Sequence, residues 1–406
     1  MKGKRVSVVE LLNLIPDEVL DKFGEQTKVD YQVKKLTGKV VFKLFIYALA
    51  SRKELSWRLL ESIFSHYKFK QFSGLSSDIR ADQSSLATRL STIKVDYFIK
   101  IHESLCDEVR KRFEVEKIGG YRIVRFDSTL VSIAGTLLKK VKGMSHGVNK
   151  SCKKPGDPVD IKFTIGFDGL SAVQADRFGD QKYLSEEIAL KQVIENHAFN
   201  RNDLAVFDRG LNKRDTLDSF TDKELIFVTR MKTHRGKVKH ELVENITKID
   251  IQKPIETESL WIEKDQKVYL FGQKSKKSKH AYRLIQAKGK KTPTIYYFLT
   301  NEMDLTPQQV VLIYKRRWDI EVFFKFLKQE FGFKHLLSRN QNGIEAVLYM
   351  TLITFTLIYL YYKANKIQSF KIAKIQFVHE LDFEVMKTIV QICRGDPDLL
   401  HLLNPF

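Results

Sequence analysis

The chain is short of cysteine and proline, with three cysteines and 8 prolines in 406 residues. Cys106, Cys152 and Cys393 lie far apart, and no CxxC pair exists. An odd, scattered set supports neither a disulfide framework nor a paired-cysteine zinc site, and a reducing cytoplasm is the simplest setting. No low-complexity tract or internal repeat occurs, which argues against a disordered chain and a solenoid. The basic start, Met1-Lys2-Gly3-Lys4-Arg5, is not followed by the apolar run of a secretory signal. Only one long uncharged run exists, AVLYMTLITFTLIYLYY at residues 346–362. It sits at the lower length limit of a membrane span and is diluted by tyrosine and threonine. It therefore reads as a buried core helix, and no membrane is expected as a partner.

Negative charge is also in deficit. Lys plus Arg is 69 against 49 for Asp plus Glu, a net charge of +20. A field of that sign draws polyanions, and nucleic acid is the first partner it suggests.

Residues 1–115 read as helical and basic, with apolar faces in VVFKLFIYALA (40–50) and SWRLLESIF (56–64). Asp82-Gln83-Ser84-Ser85 has the look of a helix start. The pattern suits a DNA-binding helical domain and equally a plain helical bundle. From about residue 120 the period falls to two. YRIVRFDST (121–129) and LAVFDRG (204–210) read as strands that end at Asp127 and Asp208. VDIKFTIGF (159–167) puts Val159, Ile161, Phe163, Ile165 and Phe167 on one face. The lysine-rich stretch at 139–154 reads as a loop or hairpin. With a helix at 185–198 and a strand at 225–231, the order predicts a mixed α/β sheet. Residues 236–299 look like a separate β-rich segment whose basic turns include Lys274, Lys276 and Lys277. Thr306-Pro307 opens a helix that runs with interruptions to about Gly332. A short mixed tail ends the chain.

Two strand-end carboxylates on adjacent strands would come within reach of a shared magnesium ion, which wants hard oxygen ligands. Each aspartate also suits a simple turn cap. In YKRRWDIEVFFKFLK (314–328), Tyr314, Arg317, Glu321 and Lys328 share one helical face. A carboxylate among cations suits a metal ligand beside a bound phosphate. It also suits a solvated face with an Arg317–Glu321 pair.

The spacing Tyr314-x2-Arg317-x3-Glu321-x6-Lys328, after two strand-end aspartates, resembles the bacterial insertion-sequence DDE transposases of the IS-four group, which carry a Y-R-E-K signature. FDRGL (207–211) is similar to that group's D-R-G-aromatic segment, with Leu211 in the aromatic place, and FDST is similar to its first-aspartate context. The resemblance implies a ribonuclease-H-like α/β mixed-sheet catalytic core with a β-rich insertion and an N-terminal helical DNA-binding domain. The implied division is 1–115 for the DNA-binding region, 116–235 and 300–375 for the two parts of the core, 236–299 for the insertion and 376–406 for a tail. Asp127, Asp208 and Glu321 are then the catalytic metal ligands, for Mg²⁺ or Mn²⁺ and two ions. Tyr314, Arg317 and Lys328 are expected to grip the terminal phosphates. Trp318 is expected to help flip a base, or else to be ordinary core. The implied activity is cut-and-paste transposition through a hairpin, by a homodimer on double-stranded transposon ends and target, in the bacterial cytoplasm. A nuclease on the same fold without strand joining, and a non-catalytic DNA-binding protein, stand as alternatives.

Overall fold

The computed structural model describes residues 5–133, 159–233, 237–250, 252–272 and 275–403. The loop or hairpin expected at 139–154, with Cys152, and also Lys274, lie outside the described residues. The helical first region contains α1 (Val8–Leu12), α2 (Asp17–Thr27), α3 (Gly38–Ser51), α4 (Trp57–Ser65), α5 (Tyr67–Ser73), α6 (Gln83–Thr92) and α7 (Val95–Arg112). Ser7, Thr37, Ser56 and Asp82 start α1, α3, α4 and α6 by accepting a first-turn backbone N–H. α3 is apolar nearly all round and is buried from Val40 to Phe42 and from Leu44 to Ala50.

The core sheet comes next, with β1 (Lys117–Ile118), β2 (Tyr121–Ile133), β3 (Val159–Phe167), β4 (Ala172–Phe178), α8 (Glu186–Asn196), β5 (Asp203–Phe207), α9 (Arg214–Asp222) and β6 (Phe227–Arg230). The spatial order is β4-β3-β2-β5-β6. The first three strands are antiparallel, and β5 and β6 join in parallel. Parallel neighbours need a crossover, and α8 and α9 lie in those connections. This is the ribonuclease-H-like arrangement. Alternation sorts the faces. Val124, Phe126, Ala205, Phe207 and Phe227 pack with α8 and α9. Ile123, Leu204, Val206 and Val228 pack on the other side with α10 (Pro307–Lys315).

The insertion contains β7 (His240–Thr247), β8 (Ile255–Glu256), β9 (Leu260–Phe271) and β10 (Lys277–Gly289), and β11 (Ile295–Thr300) leads back. It is β-rich as expected, but it is not a separate segment. β11 pairs with β6, so the insertion prolongs the core into one 11-stranded sheet. The pairing covers an edge of β6 whose backbone groups would otherwise stand open.

The interrupted helix expected from Thr306-Pro307 is two helices, α10 and α11 (Trp318–Glu330), with the interruption inside the stretch 314–328 expected to present one helical face. Tightened bonds replace the α pattern between them, from Arg317 N to Tyr314 O (3.0 Å) and from Asp319 N to Arg316 O (3.1 Å). Arg316 and Arg317 keep right-handed dihedrals, so the chain continues in the same helical sense. Gly332, with φ +59°, closes the turn after α11, where an added Cβ would stand 2.6 Å from the Lys53 carbonyl.

The uncharged run lies in α12 (Gln341–Ala364), long and apolar enough to cross a membrane by composition. In the fold it is a core helix, with residues 350–361 all buried among α3, α7 and α13 (Phe370–Ile392). Thr351, Thr354 and Thr356 satisfy their hydroxyls on carbonyls one turn back, at 2.7, 2.7 and 2.9 Å. The tail boundary at 376 falls inside α13 and is corrected. Phe370, Ala373, Phe377 and Leu381 recur at helical spacing and bury in one core with the N-terminal helices. Buried Lys374 of α13 donates to the Arg52 carbonyl at 3.1 Å and to the Glu330 carbonyl at the end of α11.

Candidate active site

The site begins with a register lock. Arg122 of β2 faces Asp203 of β5, and the two form a bidentate buried pair at 2.7 and 2.6 Å. A shift of one residue would turn every side chain to the wrong face, so this pair sets the facing of both strands up to their acids. Phe126 stands opposite Phe207. The next residues are Asp127 and Asp208. By alternation both leave the sheet on the side of α10 and α11.

Asp127 is not at the end of its strand, as the sequence suggested. β2 continues to Ile133, because β3 goes on pairing with it after β5 has stopped. Asp208 does come directly after the last residue of β5. The exposed edge is therefore made by β5 ending, and Asp127 is uncovered beside it. Ser128 N donates to Asp127 Oδ1 at 2.8 Å, and Gly210 N to Asp208 Oδ1 at 2.6 Å. The turn-cap role is thus real for Asp208. Gly210 also permits close packing, since a Cβ there would meet Asp208 Oδ1 at 2.6 Å.

Arg317 bridges the acids. Its guanidinium hydrogen-bonds to Glu321 and lies 3.6 Å from Asp127. It also lies 5.9 Å from the ring centre of Tyr314, as does that of Arg230. Asp208 is close enough to act on both Asp127 and Tyr314, and Asp127 on Lys328. The break between α10 and α11 therefore does not scatter Tyr314, Arg317, Glu321 and Lys328. Trp318 is 61% exposed, which removes the core reading for it.

Burial pushes the Asp127 carboxyl up to about 7, with Asp208 and Glu186 adding to the rise. Burial also raises the Tyr314 phenol and lowers the Lys328 amine, the latter with help from Lys334. A recessed carboxyl beside a second acid favours an added cation, and the donors are the hard oxygens that a divalent ion prefers. Among the described residues no three His, Cys, Asp or Glu side chains converge at ligand distance. Glu321 is instead turned to Arg317.

Two residues near the acids escaped the sequence reading. Glu186, at the start of α8, accepts from Ser128 Oγ at 2.9 Å and from buried Lys162 at 2.7 Å. Arg125 is 1% exposed. It donates to the carbonyls of Ile123 (2.7 Å), Asp168 (2.9 Å) and Arg316 (3.2 Å) and to Asp319 Oδ2 (3.0 Å). It thereby ties the strand of Asp127 to the start of the Glu321 helix. The signal for it was a charge at an inward position, between Ile123 and Asp127.

Residues 118–357, more than half of the chain, match the family model described as the transposase DDE domain. The chain belongs to the DDE transposase family. A transposase assigned to insertion sequence element IS4SA of Synechocystis sp. is 26% identical over 309 residues, 71% of this chain and 77% of that one. A transposase assigned to insertion sequence element IS5377 of Geobacillus stearothermophilus is 26% identical over 183 residues, 44% and 45% of the two chains. A solved piggyBac transposase synaptic complex with hairpin DNA aligns with 95% of this chain and 82% of that one, at 14% identity and a TM-score of 0.46, a likeness too small to carry an argument. The Synechocystis and Geobacillus relatives are both transposases of insertion sequences. The activity of this DDE transposase is phosphodiester cleavage and transfer in DNA transposition, and its +20 charge suits that substrate.

Proposed function

We propose that this transposase moves an insertion sequence by cut and paste, through a hairpin on the transposon end, with Asp127, Asp208 and Glu321 as its catalytic acids. The observation that carries the reading is the β2–β5 register, which sets Asp127 beside Asp208 on the face where Arg317 links Asp127 to Glu321. Asp127, Asp208 and Glu321 would hold Mg²⁺ or Mn²⁺, which when bound supplies Lewis-acid stabilisation of charge on the attacking and leaving oxygens. In the protein alone Arg317 neutralises Glu321. When a terminal phosphate enters, the guanidinium turns to it bidentately and frees the carboxylate. Tyr314 and Lys328 hold neighbouring phosphate oxygens and orient the scissile bond. Trp318, exposed at the start of α11, stacks on a base drawn from the duplex end.

Water cuts one strand and frees a 3′-hydroxyl. That hydroxyl attacks the opposite strand and closes the hairpin, which is opened before the end joins target DNA. Two copies bring the two ends together, and the protein works on the nucleoid in the bacterial cytoplasm. The test is cleavage and joining of a duplex carrying the terminal repeat, with Mg²⁺ present. Asp127→Ala, Asp208→Ala and Glu321→Ala should each lose about a thousandfold or more in rate. Full activity in any of them sinks the assignment, and cutting without joining replaces transposition with simple nuclease action.

A further inference from the structure

A basic cleft of about 850 Å³ opens at Gly210, two residues beyond Asp208. Its walls are the start of α9 and the ends of β9 and β10, with Gly272 resting against the stem of Arg214. Its two acids are already engaged. Glu187 accepts from the backbone N–H groups of Asn212 and Lys213 and from Thr216 Oγ1. Asp215 pairs with Lys276 at 2.9 Å. Lys213, Lys232 and Lys239 are exposed and have no ion-pair partner among the described residues. Arg214 Nε is buried there without an acceptor. Three free ammonium groups in one cleft, beside the Arg214 guanidinium at the start of a helix, form a site for a row of phosphates.

The position of the cleft selects which phosphates. α9 packs on the sheet face of Phe126 and Phe207, together with α8. Tyr314, Arg317, Trp318 and Lys328 belong to α10, α11 and the break between them, on the opposite face. The acids stand at the sheet edge on the α10–α11 side, and the chain passes from Asp208 through Gly210 to the cleft. DNA crossing that edge meets the signature residues on one side and the cleft on the other.

We infer that the cleft holds the sugar-phosphate backbone of the donor DNA flanking the element, across the scissile phosphate from the transposon end. This rests on the proposed function, in which the α10–α11 face grips the end. The test uses the full chain and two duplexes without divalent metal. One spans the junction of terminal repeat and flanking DNA, and the other stops at the junction. The variant is Lys213→Ala/Lys232→Ala/Lys239→Ala, three exposed positions outside the catalytic set. Its affinity for the junction duplex should fall on the order of tenfold, and its salt slope by about 2.7 for three lost phosphate contacts. Affinity for the truncated duplex should stay at the wild-type level. Equal weakening on both duplexes, or none on the junction duplex, overturns the inference. Wild-type cleavage of the junction duplex with Mg²⁺ is scored separately. Its absence counts against the proposed function, while the two-duplex comparison bears on the cleft alone.

Discussion

Two arginines lie inside the sheet at 1% exposure each, Arg125 in the core half and Arg283 in the insertion half. Arg283 meets Asp265 through two bonds of 2.8 Å and adds the carbonyls of Met303 and Leu305. Its carboxylate partner is fully buried, and the whole set joins β9 and β10 to the loop before α10. Arg125 has a similar number of acceptors, but its carboxylate partner, Asp319, is 37% exposed and stands two residues from Glu321. The same chemistry therefore serves two ends. One arginine holds the sheet together, and the other holds the site.

Breaking the buried pair in the insertion should give the largest effect on stability. Arg283→Met leaves Asp265 charged with the Thr247 hydroxyl but no cation beside it, and should cost about 3–5 kcal/mol in urea unfolding. Adding Asp265→Leu should recover most of that loss, and cleavage per folded molecule should be unchanged. In the core half, electrostatic stress lies in an acid. Asp127 is pushed up to about 7 from an ordinary value of 3.8. A raised carboxyl contributes stability below its unfolded value and loses it as pH rises through the folded one. Asp127→Asn should therefore stabilise the metal-free protein increasingly from about pH 4 to 7 and then level off, by at most about 4 kcal/mol in melting experiments. Arg125→Lys keeps the charge but not the fork. It should cost about 1–3 kcal/mol of stability. It should also slow cleavage per folded molecule about a hundredfold, as expected for a shift of about 1 Å at Glu321. A loss of stability alone would erase the contrast between the two arginines. The smallest effect on stability should come from exposed Trp318. Trp318→Ala should stay within about 0.5 kcal/mol in unfolding, yet abolish base unstacking reported by a fluorescent base at the transposon end.

Much of the site was legible because its residues are polar where alternation demands apolar. The strands of Asp127 and Asp208 stood out by period, and Glu321 by its place among Tyr314, Arg317 and Lys328. A further clue lies in the spacing of two charges. Arg122 precedes Asp127 by the same step as Asp203 precedes Asp208, so an opposite-charge pair marks the register in advance. The extent of β2 was not legible, because it depends on β3 outlasting β5, a property of the pairing and not of the strand. Interruptions were expected in the helix after Pro307, but their place at Arg316 was hidden because both sides keep helical composition and helical dihedrals. The continuity of the insertion with the core was hidden because a strand does not reveal which edge it will cover. The place of the tail boundary was not legible at α13 for a similar reason, since its apolar stripe names a core but not whose core.

The helix that bears Glu321 is tethered by a cation at each end, Arg125 on the Arg316 carbonyl and Lys374 on the Glu330 carbonyl. Lys374 also holds the carbonyl of Arg52, at the end of α3. Hydrogen bonds weaken steeply once their geometry is lost. A single buried amine thus fixes the spacing between the end of α3 and the end of the Glu321 helix, two points far apart in the sequence.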